Sequence, residues 1–156
     1  MVTAKQLVVG VDGTAAGVAA LRWAVDQARA TGAQVLAIAV TEPPPLVVGG
    51  PEVGGGLVAQ NLLDADQLAA AADAWLSEAI AALPADAGQF VDREVRRGDA
   101  ATVLLDAARD ADLLVLGNHG RGALAGMLAG SVAQRCVHHP TCPLVLVPAP
   151  GNGGRA

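Results

Sequence analysis

Three glycines and a serine set the first question. Gly117, Gly120, Gly130 and Ser131 form the spacing G-x2-G-x9-G-S. The run leaves the apolar stretch Leu113-Leu114-Val115-Leu116 and enters a segment, Ser131 to His138, that reads as a helix. Glycine at such a place lets backbone N–H groups approach a polyanion closely. A helix start behind it adds unpaired donors and the positive end of the helix dipole. The chemistry indicated is phosphate binding. Gly130, Ser131 and Val132 would present N–H groups, and the Ser131 hydroxyl can add a bond. Arg121 is the permanent cation of the segment Gly117-Asn118-His119-Gly120-Arg121-Gly122, and His119 can hydrogen-bond a phosphate or a sugar hydroxyl. Against these stand plainer readings: a mere connector, with His119 and Arg121 as solvated loop residues.

Known phosphate loops narrow the choice. A Walker A loop requires lysine in G-x4-G-K-[ST]. Lys5 is the only lysine of the chain, which removes that loop and its phosphotransfer chemistry. The dinucleotide fingerprint G-x-G-x-x-G is matched inexactly by Gly120, Gly122 and Gly126, and it belongs after a first strand, not a fourth.

The elements that must hold this loop follow from pattern. Gln6–Val11 reads as a buried strand, Ala15–Ala30 as a helix closed by Thr31-Gly32, and Gln34–Val40 as a second strand. Thr41–Gly56, rich in Pro and Gly, is a long connection that reads as a linker or as a flap near the loop. Leu57–Leu83 reads as an Ala-rich helix ended by Pro84. Phe90–Arg96 is a third strand, and Asp99 caps a helix Ala100–Arg109. Leu113–Gly117 and Leu144–Val147 complete the strands. Continuous apolar strands alternating with helices predict a doubly wound α/β fold: a five-stranded parallel sheet with helices on both faces.

Composition agrees. Hydrophobic residues make up 53% of the 156 residues but aromatics only 2%, so Ala, Val and Leu must fill the core. The length suits one domain, expected over residues 1–150 with a flexible tail at 151–156. A net charge of -5 disfavours nucleic acid and anionic membrane as partners. No apolar run reaches the roughly 18 residues of a membrane span, and Met1–Gly13 lacks the features of a secretion signal. The expected location is the cytoplasm. Cys136, His138, His139 and Cys142 fit no standard zinc spacing and read as structural. No nucleophile, acid and base can be placed together from sequence, so no catalytic residues are assigned.

G-x2-G-x9-G-S after a buried strand closely resembles the ATP-binding motif of the universal stress protein family. VVGVDGT near the N-terminus, GDAATVLLDAARDADLLVLGNHGRG and GSVAQRCVHHPTCPLVLVP resemble that family's first strand, the approach to its loop, and its last helix and strand. The likeness spans roughly Gln6–Pro148. It departs at Asn118, where the family often has serine.

The resemblance implies a sheet order of 3-2-1-4-5. A crevice then opens between strands 1 and 4, with Gly10, Val11 and Asp12 on one wall and Gly117 to Gly120 on the other. It implies ATP as ligand, with Val40 meeting adenine through its backbone. Asp12 would hold Mg²⁺ or a polar group of the nucleotide, or serve only as a turn or capping carboxylate. It implies a homodimer paired through the edge strand Leu144, Val145, Leu146 and Val147. The expected function is nucleotide-dependent regulation or sensing in stress response. Two alternatives remain: a slow ATPase on the same fold, and a ligand-free dimeric interaction module.

Overall fold

The computed structural model describes residues 5–42, 64–118 and 130–151. Strands β1 (Gln6–Gly10), β2 (Gln34–Thr41), β3 (Val91–Arg97), β4 (Leu113–Gly117) and β5 (Leu144–Val147) alternate with helices α1 (Ala15–Thr31), α2 (Ala65–Ala81), α3 (Ala100–Ala107) and α4 (Ser131–His138). The strands form one five-stranded sheet in the order β3-β2-β1-β4-β5. All four pairings are parallel.

Apolar side chains on opposite faces of each strand create two cores. On one face Leu7, Val9, Val35 and Val115 pack with α1 and α2. On the other, Val8, Ile38, Leu114 and Leu116 pack with α3 and α4. Helix α1 lies close because Ala16, Ala20, Ala24 and Ala28, one per turn, are all buried against the sheet. Its ends are set locally: the Thr14 hydroxyl accepts the Gly17 N–H, and Gly32 closes the helix at φ 75°.

Several element ends differ from the sequence reading. Helix α2 begins at Ala65, not Leu57, because Asp64 is extended and forms a capping box with Gln67. Residues 57–63 lie outside the described part. Thr41 belongs to β2, not to the following connection, since it pairs with Arg97 of β3. Val11 falls just beyond β1, although its N–H still donates to the Ile38 carbonyl at 2.9 Å. Helix α3 stops at Ala107, short of Arg109, and a 3-10 turn at Ala87–Phe90 precedes β3. Strand β3 is the charged edge, carrying Asp92, Arg93, Glu94, Arg96 and Arg97, a composition that discourages further strand pairing. Among the described residues no helix is long and apolar enough to cross a membrane.

Candidate functional site: a cleft at the strand ends

From β1 the chain crosses by α1 to β2; from β4 it crosses by α4 to β5, on the opposite side. The diverging connections leave a crevice above the β1–β4 junction. A cleft of about 670 Å³ opens there and extends over the end of β2. Gly10, Val11, Asp12, Val40, Gly117, Gly130, Ser131 and Val132, all expected from sequence, line it together.

Asp12 is positioned by the turn into α1. Gly13 takes φ 82°, and the Asp12 carboxylate then accepts from the Thr14 N–H at 3.1 Å and the Thr14 hydroxyl at 2.5 Å. The same hydroxyl caps α1, so the turn reading of Asp12 and its place in the cleft hold together. Gly17 makes room: a Cβ there would sit 2.9 Å from the carboxylate oxygen.

Across the crevice, Gly117 ends β4 against α1. A Cβ at this position would fall 2.7 Å from the Ala16 backbone. The need for glycine at Gly117 is therefore one of packing. Asn118 continues the ladder, donating to the Val147 carbonyl at 2.8 Å, and its own carbonyl accepts the Gly130 N–H at 3.2 Å. The two ends of the glycine segment are thereby clasped at the mouth of the cleft, and the Gly130 N–H, expected to face a phosphate, is instead taken up by the Asn118 carbonyl. His119, Gly120, Arg121 and Gly122 lie outside the described residues. Gly130 caps α4 with no side-chain hydrogen bond. The first turn of α4, Ser131 to Ala133, borders the cleft, and N–H groups of a first turn have no helical partner.

The other end of the cleft lies over β2. Ile38, Val40, Leu104 and Leu116 make an apolar floor, and α2 contributes Leu68, Ala71 and Trp75 from one stripe. Helix α2 was not expected here; its i, i+3, i+7 spacing could have signalled a shared face but not what that face meets. Glu42 was also missed. Its carboxylate accepts the Ala100 N–H at 3.1 Å, at the start of α3.

Helices α3 and α4 are tied beside the cleft. The Arg135 guanidinium reaches both Asp99 oxygens at 2.6 Å. The Thr102 hydroxyl, followed by Arg135 and the Thr102 N–H, lowers the Asp99 pKa to about 2. Cys136 is fully buried on the inner face of α4, and burial pushes its thiol up to about 11. It packs among Ala101, Leu104 and Ala133. His138 and His139 end α4 on the exposed side, where positive charge is favoured by the helix dipole.

Known proteins share this fold. The model of the universal stress protein family matches residues 3–148. A universal stress protein of Mycolicibacterium smegmatis is 33% identical over 90% of this chain and 47% of its own length. One from Thermus aquaticus is 30% identical over 92% of this chain and 98% of its own. The chain spans about half the length of the first curated relatives it matches. Among solved structures, universal stress protein UspA from Lactobacillus plantarum superposes with a TM-score of 0.64 at 22% identity, covering 94% of this chain and 99% of its own. A universal stress protein in complex with cAMP gives 0.58 at 24%, covering 94% and 98%. One from Archaeoglobus fulgidus in complex with dAMP gives 0.54 at 19%, covering 94% and 99%.

Proposed function

The chain belongs to the universal stress protein family, and on that premise we propose that it holds an adenine nucleotide, ATP, in the cleft above β1 and β4. The observation that carries this reading is the pairing of a helix start with an apolar slot in one cleft. Phosphates would lie against the first turn of α4, where N–H groups and the helix dipole favour anions. Arg121 and His119, expected on the same loop, would reach them from the glycine segment. Ribose would pass Gly10–Asp12, and the base would enter the slot over β2 beside Val40. Two structural neighbours bear cAMP and dAMP, which supports an adenine nucleotide as the ligand class.

Asp12 fits a polar or metal-assisted role. Thr14 orients its carboxylate, and no hydrogen bond to phosphate could come from it as an acceptor. Mg²⁺, if it accompanies the nucleotide, would supply charge neutralisation beside that carboxylate. The cell would use the protein as a cytoplasmic regulator or sensor in stress response. A ligand that spans β1, β4 and α4 stabilises whichever state brings them together, and so shifts an equilibrium of conformation or assembly. The assembly would be a homodimer through β5, the apolar edge strand.

The test is direct. Freshly purified protein is denatured and any released nucleotide identified by mass, and ATP binding is measured by calorimetry. Gly130→Glu is the matched variant. Gly130 has φ −66°, which any residue adopts, so the substitution adds bulk and negative charge without backbone strain. Expected is loss of ATP binding with an unchanged melting temperature. Wild-type affinity in that variant would remove the phosphate end of the site.

A further inference from the structure

We infer that Glu42 sets base selectivity in this cleft, favouring a purine with an amino group at its 6-position over one with a carbonyl oxygen there. The inference rests on the reading of the cleft as a nucleotide site. It depends on which end of the cleft takes the base and on what that end offers.

The sheet order fixes the sequence of contacts: α4 and β4, then β1, then β2. With phosphates at the α4 start and ribose over β1, the base comes to the end of β2. That end has the apolar surface a planar ring needs, from Ile38, Val40 and Leu104 below to Trp75 at the side. Its polar residues lining the cleft are Thr41 and Glu42. The Thr41 hydroxyl is directed to the Arg96 carbonyl, at 3.5 Å. Beside the Val40 backbone and the Trp75 indole, Glu42 brings the charged acceptor of this end, a side chain able to read a base edge.

Glu42 is held in place. Ile38 and Val40 put their side chains on the α3 side of the sheet, and Glu42, one residue beyond β2, also reaches that side. Its Oε1 accepts the Ala100 N–H at 3.1 Å. Asp99, Thr102 and Arg135 fix that helix start in turn. The carboxylate is thus anchored at the cleft rim, with α3 preventing it from pivoting freely.

An ionised carboxylate only accepts hydrogen bonds. The adenine 6-amino group donates one. A 6-oxo purine puts an acceptor oxygen at the same point and moves its donor to N1, so a carboxylate held opposite the 6-position faces another acceptor. Hydrogen bonds to charged groups are strong enough for a preference of about tenfold to a hundredfold.

The experiment compares ATP with inosine triphosphate, which has a carbonyl at the 6-position and a proton on N1, on wild type, Glu42→Gln and Glu42→Ala. Glu42→Gln keeps an oxygen for the Ala100 N–H but adds a donor able to serve a carbonyl. Expected is a wild-type preference for ATP of about tenfold or more, largely lost in both variants. In Glu42→Gln it is lost mainly through tighter inosine triphosphate binding. A role confined to capping α3 would lower both affinities together and leave their ratio unchanged. An unchanged ratio in both variants, or no wild-type preference, overturns the inference while the nucleotide site stands. Binding of neither nucleotide by wild type overturns the site reading, and the inference with it.

Discussion

Asp12 depends on a neighbour whose contribution is an absent atom. Gly17 lies in the first turns of α1, where an alanine would ordinarily stabilise a helix by about 1 kcal/mol. Here the added Cβ would press on the Asp12 carboxylate at 2.9 Å. Because Thr14 holds that carboxylate with two hydrogen bonds, it can yield only by breaking them. Gly17→Ala is therefore expected to separate stability from binding. Urea unfolding should change by less than about 1 kcal/mol, since helix gain offsets local crowding. ATP affinity by calorimetry should fall about tenfold, the loss of one well-placed polar contact. Full affinity in a protein of unchanged stability would mean that the Asp12 carboxylate takes no part in holding the ligand. Gly117 illustrates the same principle with backbone as the obstacle, since a side chain there would drive β4 away from Ala16.

Helices α3 and α4 act as a pair. Asp99 caps α3 through the Thr102 N–H at 3.0 Å and also receives Arg135 from α4. Its folded pKa is lowered from 3.8 to about 2 by the Thr102 hydroxyl, then Arg135 and the Thr102 N–H. The unfolded state therefore takes up a proton first as pH falls. The stabilisation is complete above the ordinary carboxylate value and is lost as pH drops through the folded one. Asp99→Ala removes both cap and ion pair. At neutral pH it should cost about 1 kcal/mol, most of it from the cap, because the ion pair is half exposed. Urea midpoints of wild type and variant should converge as pH falls from about 4 to about 2. A gap that persists at the lower end would show that the carboxylate charge contributes little.

At the scale of the whole molecule, the two sheet edges differ. Edge β3 is charged along its length, while β5 is Leu-Val-Leu-Val and half-buried. Val145 and Val147 pack on the α1 side, and Leu144 and Leu146 on the α4 side. A shallow apolar groove beside β5 includes Val137, Pro140 and Leu146. If two copies pair here, a charge in the groove should separate them. Val145 is a poor place for it because the α1-side core would suffer too. Val137, 48% exposed at the end of α4, is a better one. Val137→Asp should shift sedimentation from dimer towards monomer with the melting temperature nearly unchanged. Sedimentation identical to wild type would argue against an interface at this edge.

Local pattern determined the elements. Apolar runs specified the strands, Asp99 and Gly32 marked helix ends, and the spacing from Gly117 to Ser131 singled out a candidate phosphate-binding segment. These are short-range properties, set by backbone sterics, caps and periodicity within a few residues. The limits of local reading show at Leu57, where apolar composition continued a helix that the Asp64 capping box begins later. The sheet order came from family resemblance, since periodicity tells a strand what it is but not whom it pairs with. Only the tertiary structure brought Trp75 and Glu42 to the cleft. Trp75 lies far along the chain from Gly117, and Glu42 follows a strand whose partner is not written in its own sequence. Gly17 and Gly117 were likewise decided there, because a missing Cβ acquires meaning only when another chain segment occupies its space.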